Sequence, residues 1–278
     1  MKKTQVGHIN FLNCLPLSYS FLKQQSDDLF TVTRGVPSEL NYKITHDELD
    51  ISPVSAIVYA RNSEKLMLLP NLSISIEGAI RSLIIESKRP IEELDGAHIG
   101  LTAKSENTHC ALKIILEKGY GIKPRYTVDT IHPNEVGDYD ATLLIGDDAL
   151  YTYHHKQKGY YYYDVGSEWR KMTGLPLVCA VWTVREEFAK ENPVITAKIA
   201  KRLAKGFEFG LRHKEAAIAT MNDGEVYSDA ELSEYLELLN WGFSPRHQQA
   251  LEYMYQMAYE LDLIPSVPKI KIAEVTSL

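Results

Sequence analysis

The sequence predicts an α/β protein in two units, the second inserted into the first. Three observations point there. Short apolar, β-branched runs alternate with helix-period segments from about residue 5 to residue 150. Two long extended runs, near 80–86 and 176–184, bracket one block of that alternation, as the two crossings of a hinge would. The chain after residue 192 reads as helix throughout. Residues 1–84 with 182–278 are therefore expected to form one lobe, and residues 85–181 the inserted lobe.

Each element has a local reason. Residues 5–9 are a first strand, followed by a polar loop and a helix over 16–24 whose first turn holds Pro16, where a missing N–H costs nothing. Phe30–Val36 is β-branched and extended, and Pro37–Ile44 opens a helix with Leu40 and Ile44 four apart. A strand over 49–53, a helix over 54–61 and a strand over 66–69 continue the alternation, which favours a mostly parallel sheet. Extended runs over 73–77 and 80–86 flank Gly78. Strands over 97–101, 126–128 and 141–145 follow, with a helix over 106–118 and another starting at Gly146. Tyr151, Tyr153 and Tyr160–Tyr163, with His154 and His155 between, read as an amphipathic surface. Adjacent histidines on a helix face different ways and make no metal pair. Asp164–Gly174 is a helix closed by its glycine, and Leu175–Val184 a long buried strand. The last helices open at Asn192-Pro193, at the Ser228–Glu231 capping box and at Ser244-Pro245. The first of them carries Ile195, Ile199, Leu203, Phe207 and Leu211 at four-residue intervals.

Composition narrows the function classes. The 278 residues carry 30 Lys and Arg against 37 Asp and Glu, a net charge of −7. That excludes the basic stripe a nucleic-acid partner requires. No apolar run approaches the roughly 18 residues of a membrane span, so no membrane partner is expected. Residues 1–6 lead into the first strand without the apolar stretch of a secretory leader, so a cytoplasmic location is expected. The 3 cysteines fit neither a zinc spacing nor a disulfide framework.

Phosphate-cradling, dinucleotide, zincin and nucleophile-elbow motifs are all missing, and no cofactor or metal is expected. What remains is a set of short polar side chains where strands run into helices: Asn10, Asn13, Ser55, Ser82, Thr102, Ser105, Asn107, Thr108 and Asp147. Such groups beside helix N-termini suit carboxylate ligands, because the free N–H groups and the macrodipole favour anions. The same residue types are also the preferred helix caps. Arg81 is a further anion partner, unless alternation along its strand turns it away when Ser82 faces the cleft. His8, on the first strand, reads as a structural histidine.

Taken together, Val6-Gly-His-Ile-Asn-Phe-Leu-Asn-Cys-Leu-Pro-Leu17, Glu48-Leu-Asp-Ile-Ser-Pro-Val54, Leu144-Ile-Gly-Asp-Asp-Ala-Leu150 and Gly174-Leu-Pro-Leu-Val-Cys-Ala-Val-Trp182 resemble the chorismate dehydratases of the futalosine route to menaquinone. The match runs in order through nearly the whole chain. It implies a fold like the type II periplasmic binding proteins: two α/β lobes, a mixed sheet in each, and a central cleft. It implies a cofactor-independent hydro-lyase that takes water from chorismate to give 3-[(1-carboxyvinyl)oxy]benzoate. The family's catalytic Asn and Ser fall on Asn13 and Ser82, and its Ser/Thr-rich carboxylate loop on 102–108, where the spacing here is a couple of residues longer. Two rivals stand beside this reading. One is the 1,4-dihydroxy-6-naphthoate synthase of the same route, and the other a non-catalytic protein that binds a small carboxylate.

Overall fold

The computed structural model describes residues 3–24 and 29–275. Residues 1 and 2, on which the reading of the N-terminus partly rests, lie outside the described residues.

The chain opens with strand β1 (Thr4–Ile9), a single 3₁₀ turn (Leu12–Cys14) and helix α1 (Leu15–Lys23) with Pro16 in its first turn. Then come β2 (Phe30–Gly35), α2 (Pro37–Thr45), β3 (Ile51–Ser55), α3 (Ala56–Arg61) and β4 (Leu66–Ile76). The chain next crosses to a second sheet through β5 (Leu83–Ser87), β6 (His98–Thr102), α4 (Glu106–Ile114, continued by a π-helical stretch to Tyr120), β7 (Arg125–Asp129), β8 (Ala141–Ile145), α5 (Asp147–His154), β9 (Tyr161–Asp164) and α6 (Val165–Thr173). It returns through β10 (Leu177–Arg185) and ends in helices α7 (Glu186–Glu191), α8 (Pro193–Arg212), α9 (Lys214–Met221) and α10 (Asp229–Glu237), the two-residue strand β11 (Leu239–Asn240) and α11 (Pro245–Glu260).

The first sheet has the order β11-β4-β10-β3-β1-β2, and the second β7-β6-β8-β5-β9. Both are mixed. β1 runs parallel to β2 and β3, while β10 enters antiparallel between β3 and β4. In the second sheet β6 is parallel to β7 and β8, and β5 is antiparallel to β8 and β9. The mostly parallel sheet that alternation implied is thus corrected. The chain leaves the first sheet at the carboxyl end of β4 and returns at that same end, Leu177 opposite Ile76, so β10 runs back against the strands it joins.

Sheet membership also bears on the lobes. β5 pairs only within the second sheet, and β10 only within the first. We propose that the lobes divide at 77–82 and 174–176 rather than at 84/85 and 181/182, because this keeps each strand whole and leaves α6 against β5 and β9.

Three further expectations change. The runs 66–69 and 73–77 belong to one strand, β4, which passes through Asn71 in left-handed backbone and opposes β10 across two register irregularities. Within the stretch read as an amphipathic surface, Tyr161–Tyr163 form β9 with Asp164, an edge strand in which Tyr162 donates to Glu86 and Tyr163 accepts from the Ile91 N–H. On α8, Ile199, Leu203 and Phe207 are buried but Leu211 is 38% exposed. A strict four-residue repeat gains about 40° per step on a 3.6-residue helix, so its last member swings toward water. The inward face there is completed by Gly206 and Gly210. A Cβ on Gly210 would sit 2.0 Å from the Pro16 carbonyl oxygen, so this glycine lets α8 lie against α1.

His8 is fully buried, its Nε2 shares a 2.6 Å hydrogen bond with the Ser18 hydroxyl, and its ring meets Phe21 edge-on. Burial, with the Arg34 guanidinium second, drives its pKa down to about 3.

Two expected outcomes follow from this packing. Gly210→Ala lowers stability by about 1–3 kcal/mol through overpacking, against a gain of about 1 kcal/mol from helix propensity alone, so the sign of the shift in the urea midpoint decides between them. The folded state binds fewer protons at His8 than the unfolded chain between pH 3 and 6.5, so this residue's stabilisation is lost as pH falls through that window. His8→Gln should flatten the acid limb of a stability–pH curve, and an unchanged slope would contradict the assignment.

Candidate active site

The carboxyl ends of β1 and β3 in the first sheet face those of β6 and β8 in the second. That edge is where open α/β sheets place their ligands. Between the two sheets lies a cavity of about 40 Å³. From the first sheet's side it is lined by Ile9, Phe11, Asn13, Pro37, Ser55, Ile74, Cys179 and Ala180, and from the second by Ser105, Asn107, Thr108 and Ile145. The volume holds one or two waters, well below the roughly 300 Å³ of a pocket that accepts a small organic ligand. The structure is therefore closed around its polar centre. Larger hollows of about 460 to 680 Å³ lie away from these strand ends, among them one at Ile44–Arg185 and one at Leu72–Trp241, and one of about 450 Å³ borders them at Leu12, Asp147 and Tyr227.

Asn13 sits in the turn between β1 and α1. Its main-chain oxygen accepts a 2.9 Å bond from the Trp241 indole, which fixes the turn. Its side-chain Oδ1 is buried and has no hydrogen-bond partner among the described residues. A buried carbonyl oxygen left unmet costs about 1–3 kcal/mol, so such a group is aimed at something for a reason. Across the cavity stands the start of α4. Ser105 is its N-cap in position but makes no capping bond, and the Thr108 hydroxyl donates to the Ser105 Oγ at 3.4 Å. The first N–H groups of this helix lack intrahelical partners. Glu106, in its first turn, is paired with Arg61, and Lys104 with Asp148.

Asn107 plays a different part from the one its sequence position implied. Its Oδ1 accepts from the Ile57 N–H at 3.0 Å and its Nδ2 donates to the Val178 carbonyl at 3.4 Å, so its polar atoms are spent joining α4 to α3 and β10. Ser55 is similarly held: its N–H donates to Asn41 Oδ1 at 3.0 Å and its hydroxyl accepts from Asn41 Nδ2 at 3.1 Å. That leaves the Ser55 O–H free to turn toward the cavity it lines.

Three expected site residues lie just behind the lining and two lie away from it or turn away from it. Ser82 is buried one step beyond the wall, its hydroxyl accepting from the Tyr235 phenol at 2.9 Å and its carbonyl from the Gly146 N–H at 2.9 Å. Gly146 has φ +64°, and the Phe11 ring packs where a Cβ would go. Asp147 accepts from the Leu12 N–H at 3.2 Å, and burial, opposed by that bond, pushes its carboxyl up to about 6. Thr102 is buried at the end of β6, its carbonyl bonded to the His109 ring at 2.7 Å. Asn10 is exposed, with its N–H on the Gly35 carbonyl. Arg81 is turned away: its backbone is left-handed at φ +67°, so strand alternation does not apply, and its guanidinium pairs with Glu234 at 3.0 Å over the Tyr153 ring. The expectation that Arg81 meets an anion in the cleft gives way to this pairing.

Sequence reasoning passed over the apolar wall of Phe11, Ile74 and Ile145 and the thiol of Cys179, which burial pushes up to about 12. It also passed over Tyr235 and Trp241, which hold Ser82 and Asn13. Nothing in the sequence separates these from core residues.

The comparisons agree with this architecture. A family model described as menaquinone biosynthesis matches residues 4–260. A curated protein from Thermus thermophilus, named chorismate dehydratase, is 30% identical over 207 residues, covering 69% of this chain and 72% of its own. Among solved structures, a protein from Archaeoglobus fulgidus superposes with a TM-score of 0.78 at 19% identity, over 94% of this chain and 98% of that one. The aliphatic sulphonate binding protein of Escherichia coli gives 0.66 at 12% identity, over 100% and 96% of the two chains. A Candida albicans protein described as having the generic periplasmic binding protein fold gives 0.71 at 10% identity, over 100% and 99%. The two-lobed periplasmic-binding-protein-like fold is thus established, and with the family model spanning residues 4–260 the chain belongs to the menaquinone biosynthesis family.

Proposed function

We propose that this chain is a chorismate dehydratase, a lyase that removes water from chorismate to give 3-[(1-carboxyvinyl)oxy]benzoate. The observation that carries the reading is the unpartnered Asn13 Oδ1 buried in a cavity faced by the hydroxyls of Ser105 and Thr108 at a helix N-terminus. The named relative and the family model support the substrate and the pathway. A cytoplasmic setting is part of the same proposal.

Chorismate brings two carboxylates, an acidic C3–H and a C4 hydroxyl. The Ser105 and Thr108 hydroxyls and the free N–H groups of α4 suit the ring carboxylate, where negative charge grows as the C3 proton leaves. The electron pair moves through the diene toward that carboxylate and returns to expel the C4 hydroxyl, making the ring aromatic. Proton and hydroxide leave together as water, and the step is redox-neutral, so it asks for no cofactor. The lining residues offer no carboxylate, imidazole or amine as a base, and the Cys179 thiol is held neutral. As the family resemblance implies, the substrate's own enolpyruvyl carboxylate is the proton acceptor in this proposal. Asn13 orients the reacting carbons and Ser82 meets the leaving hydroxyl, while Ser55 bonds a substrate oxygen. Asp147 steadies the 11–13 turn through the Leu12 N–H. Phe11, Ile74 and Ile145 close over the ring and keep bulk water out, which strengthens every polar contact within. With only about 40 Å³ between the sheets, substrate enters after the lobes part.

Incubation with chorismate should yield the enolpyruvyl benzoate by mass spectrometry. If a cyclic futalosine derivative is converted instead, the 1,4-dihydroxy-6-naphthoate synthase reading replaces this one. A rise in melting temperature with chorismate and no product would make it a binding protein. Asn13→Ala should lower kcat by about 10²-fold or more, the scale of losing one preorganised polar group. Because Oδ1 has no partner to abandon, its stability should stay within about 0.5 kcal/mol of the parent. A variant that loses stability while keeping kcat would show Asn13 to be structural.

A further inference from the structure

We propose that Asp164 is a positioning residue for Ser82: its carboxylate holds the 80–82 turn in a left-handed backbone at Arg81 and thereby aims the Ser82 hydroxyl. The inference rests on the chorismate dehydratase reading for what Ser82 does, and on geometry alone for how Ser82 is held.

Asp164 ends β9 and begins α6. Its Oδ1 accepts from the Ser167 N–H at 3.0 Å, an ordinary N-cap. Its other oxygen does something a cap does not require. Oδ2 reaches 84 and 83 residues back along the chain and accepts from the N–H groups of Ile80 at 2.9 Å and Arg81 at 2.6 Å. One half-buried carboxylate thus ties the segment leaving the first sheet to the helix that leads back to it. Two successive N–H groups turned onto one oxygen demand a tight turn. The turn is met by φ +67° at Arg81, a region that non-glycine residues avoid.

The consequence falls on the next residue. In a regular strand Arg81 and Ser82 would alternate, and β5 would begin earlier. Instead β5 starts at Leu83, and Ser82 is rotated so that its hydroxyl meets the Tyr235 phenol. Two contacts from α10 brace the same turn. Glu234 holds the Arg81 guanidinium and Tyr235 holds the Ser82 hydroxyl. Gly166, two residues after Asp164, packs with no room for a side chain against the Gly78 carbonyl, where a Cβ would lie at 2.2 Å. The two crossings are therefore in contact as well as hydrogen-bonded. An arginine kept in left-handed backbone by a distant carboxylate marks strain retained at a functional turn.

The test combines kinetics with a crystal structure, using Asp164→Ala, the milder Asp164→Asn, Arg81→Gly and the double variant Asp164→Ala/Arg81→Gly in the full chain. Asp164→Ala should lose about tenfold to a hundredfold in kcat, the cost of a displaced catalytic group, with KM moved less than about threefold. Asp164→Asn keeps a cap for α6 and should fall between it and the parent. Glycine adopts the left-handed backbone freely, so removing Asp164 should cost far less kcat in the Arg81→Gly background than in the parent. The crystal structure of Asp164→Ala, or of Asp164→Asn if the former does not fold, should show Arg81 at negative φ and Ser82 parted from Tyr235. If Arg81 keeps positive φ and the Ser82–Tyr235 bond survives, the proposal is overturned, whatever the protein's substrate is. Full kcat in a folded Asp164→Ala, or equal losses of kcat in both backgrounds, would overturn it too. A parent protein inactive on chorismate removes the dehydratase reading and leaves the structural comparison to decide the positioning role.

Discussion

The carboxamide of Asn107 is the fastening on which the closed arrangement depends. It belongs to the second lobe by sequence, yet both its polar atoms are bonded to the first, one to an α3 N–H and the other to a β10 carbonyl. Those two backbone groups are buried, so each needs a partner within the protein. A single side chain satisfies both and sets the start of α4 against the start of α3. The helix end that faces the cavity is placed by this bond, and so are the Ser105 and Thr108 hydroxyls beside it. The Tyr235 and Trp241 bonds to Ser82 and Asn13 play the same part on the opposite wall. The C-terminal helices, far along the chain from the strand ends, thereby hold the polar groups of the site in place.

Much of this was legible in the sequence where a residue's role is local. Pro16 and Pro37 mark helix starts, the Ser228–Glu231 box caps α10, and the strand cores announce themselves by β-branched runs. Asn13, Ser55, Ser105 and Thr108 were visible as candidates because polar residues at strand-to-helix turns stand out against apolar neighbours. The illegible parts are those that depend on distant partners. β9 is a strand because β5 offers it an edge, and β10 runs antiparallel because of where the inserted lobe returns it. Arg81 was misread because its left-handed backbone is set by Asp164, itself visible in sequence only as the start of a helix. Phe11, Ile74 and Ile145 carry no mark that distinguishes a cavity wall from a core.

The site is built from neutral donors. The Asp147 carboxyl lies behind the wall and is tied to the Leu12 N–H, and that of Asp164 is tied to the Ile80, Arg81 and Ser167 N–H groups. Ions at its border are paired among themselves, as Arg61 with Glu106 and Lys104 with Asp148. An interior lined by hydroxyls, a carboxamide and N–H groups suits a dianionic ligand that brings its own charge and its own base, since no buried protein charge has to be desolvated first.

The small volume of the closed cavity has a kinetic meaning. In a form with about 40 Å³ between the sheets, a ring-sized ligand enters only after the lobes separate, so its apparent affinity is reduced by the fraction of molecules that are open. Every contact that holds the lobes together, the Asn107 bonds among them, therefore enters the Michaelis constant. Reopening is also the route by which the aromatic product leaves, so lobe separation stands in series with chemistry and sets an upper bound on turnover.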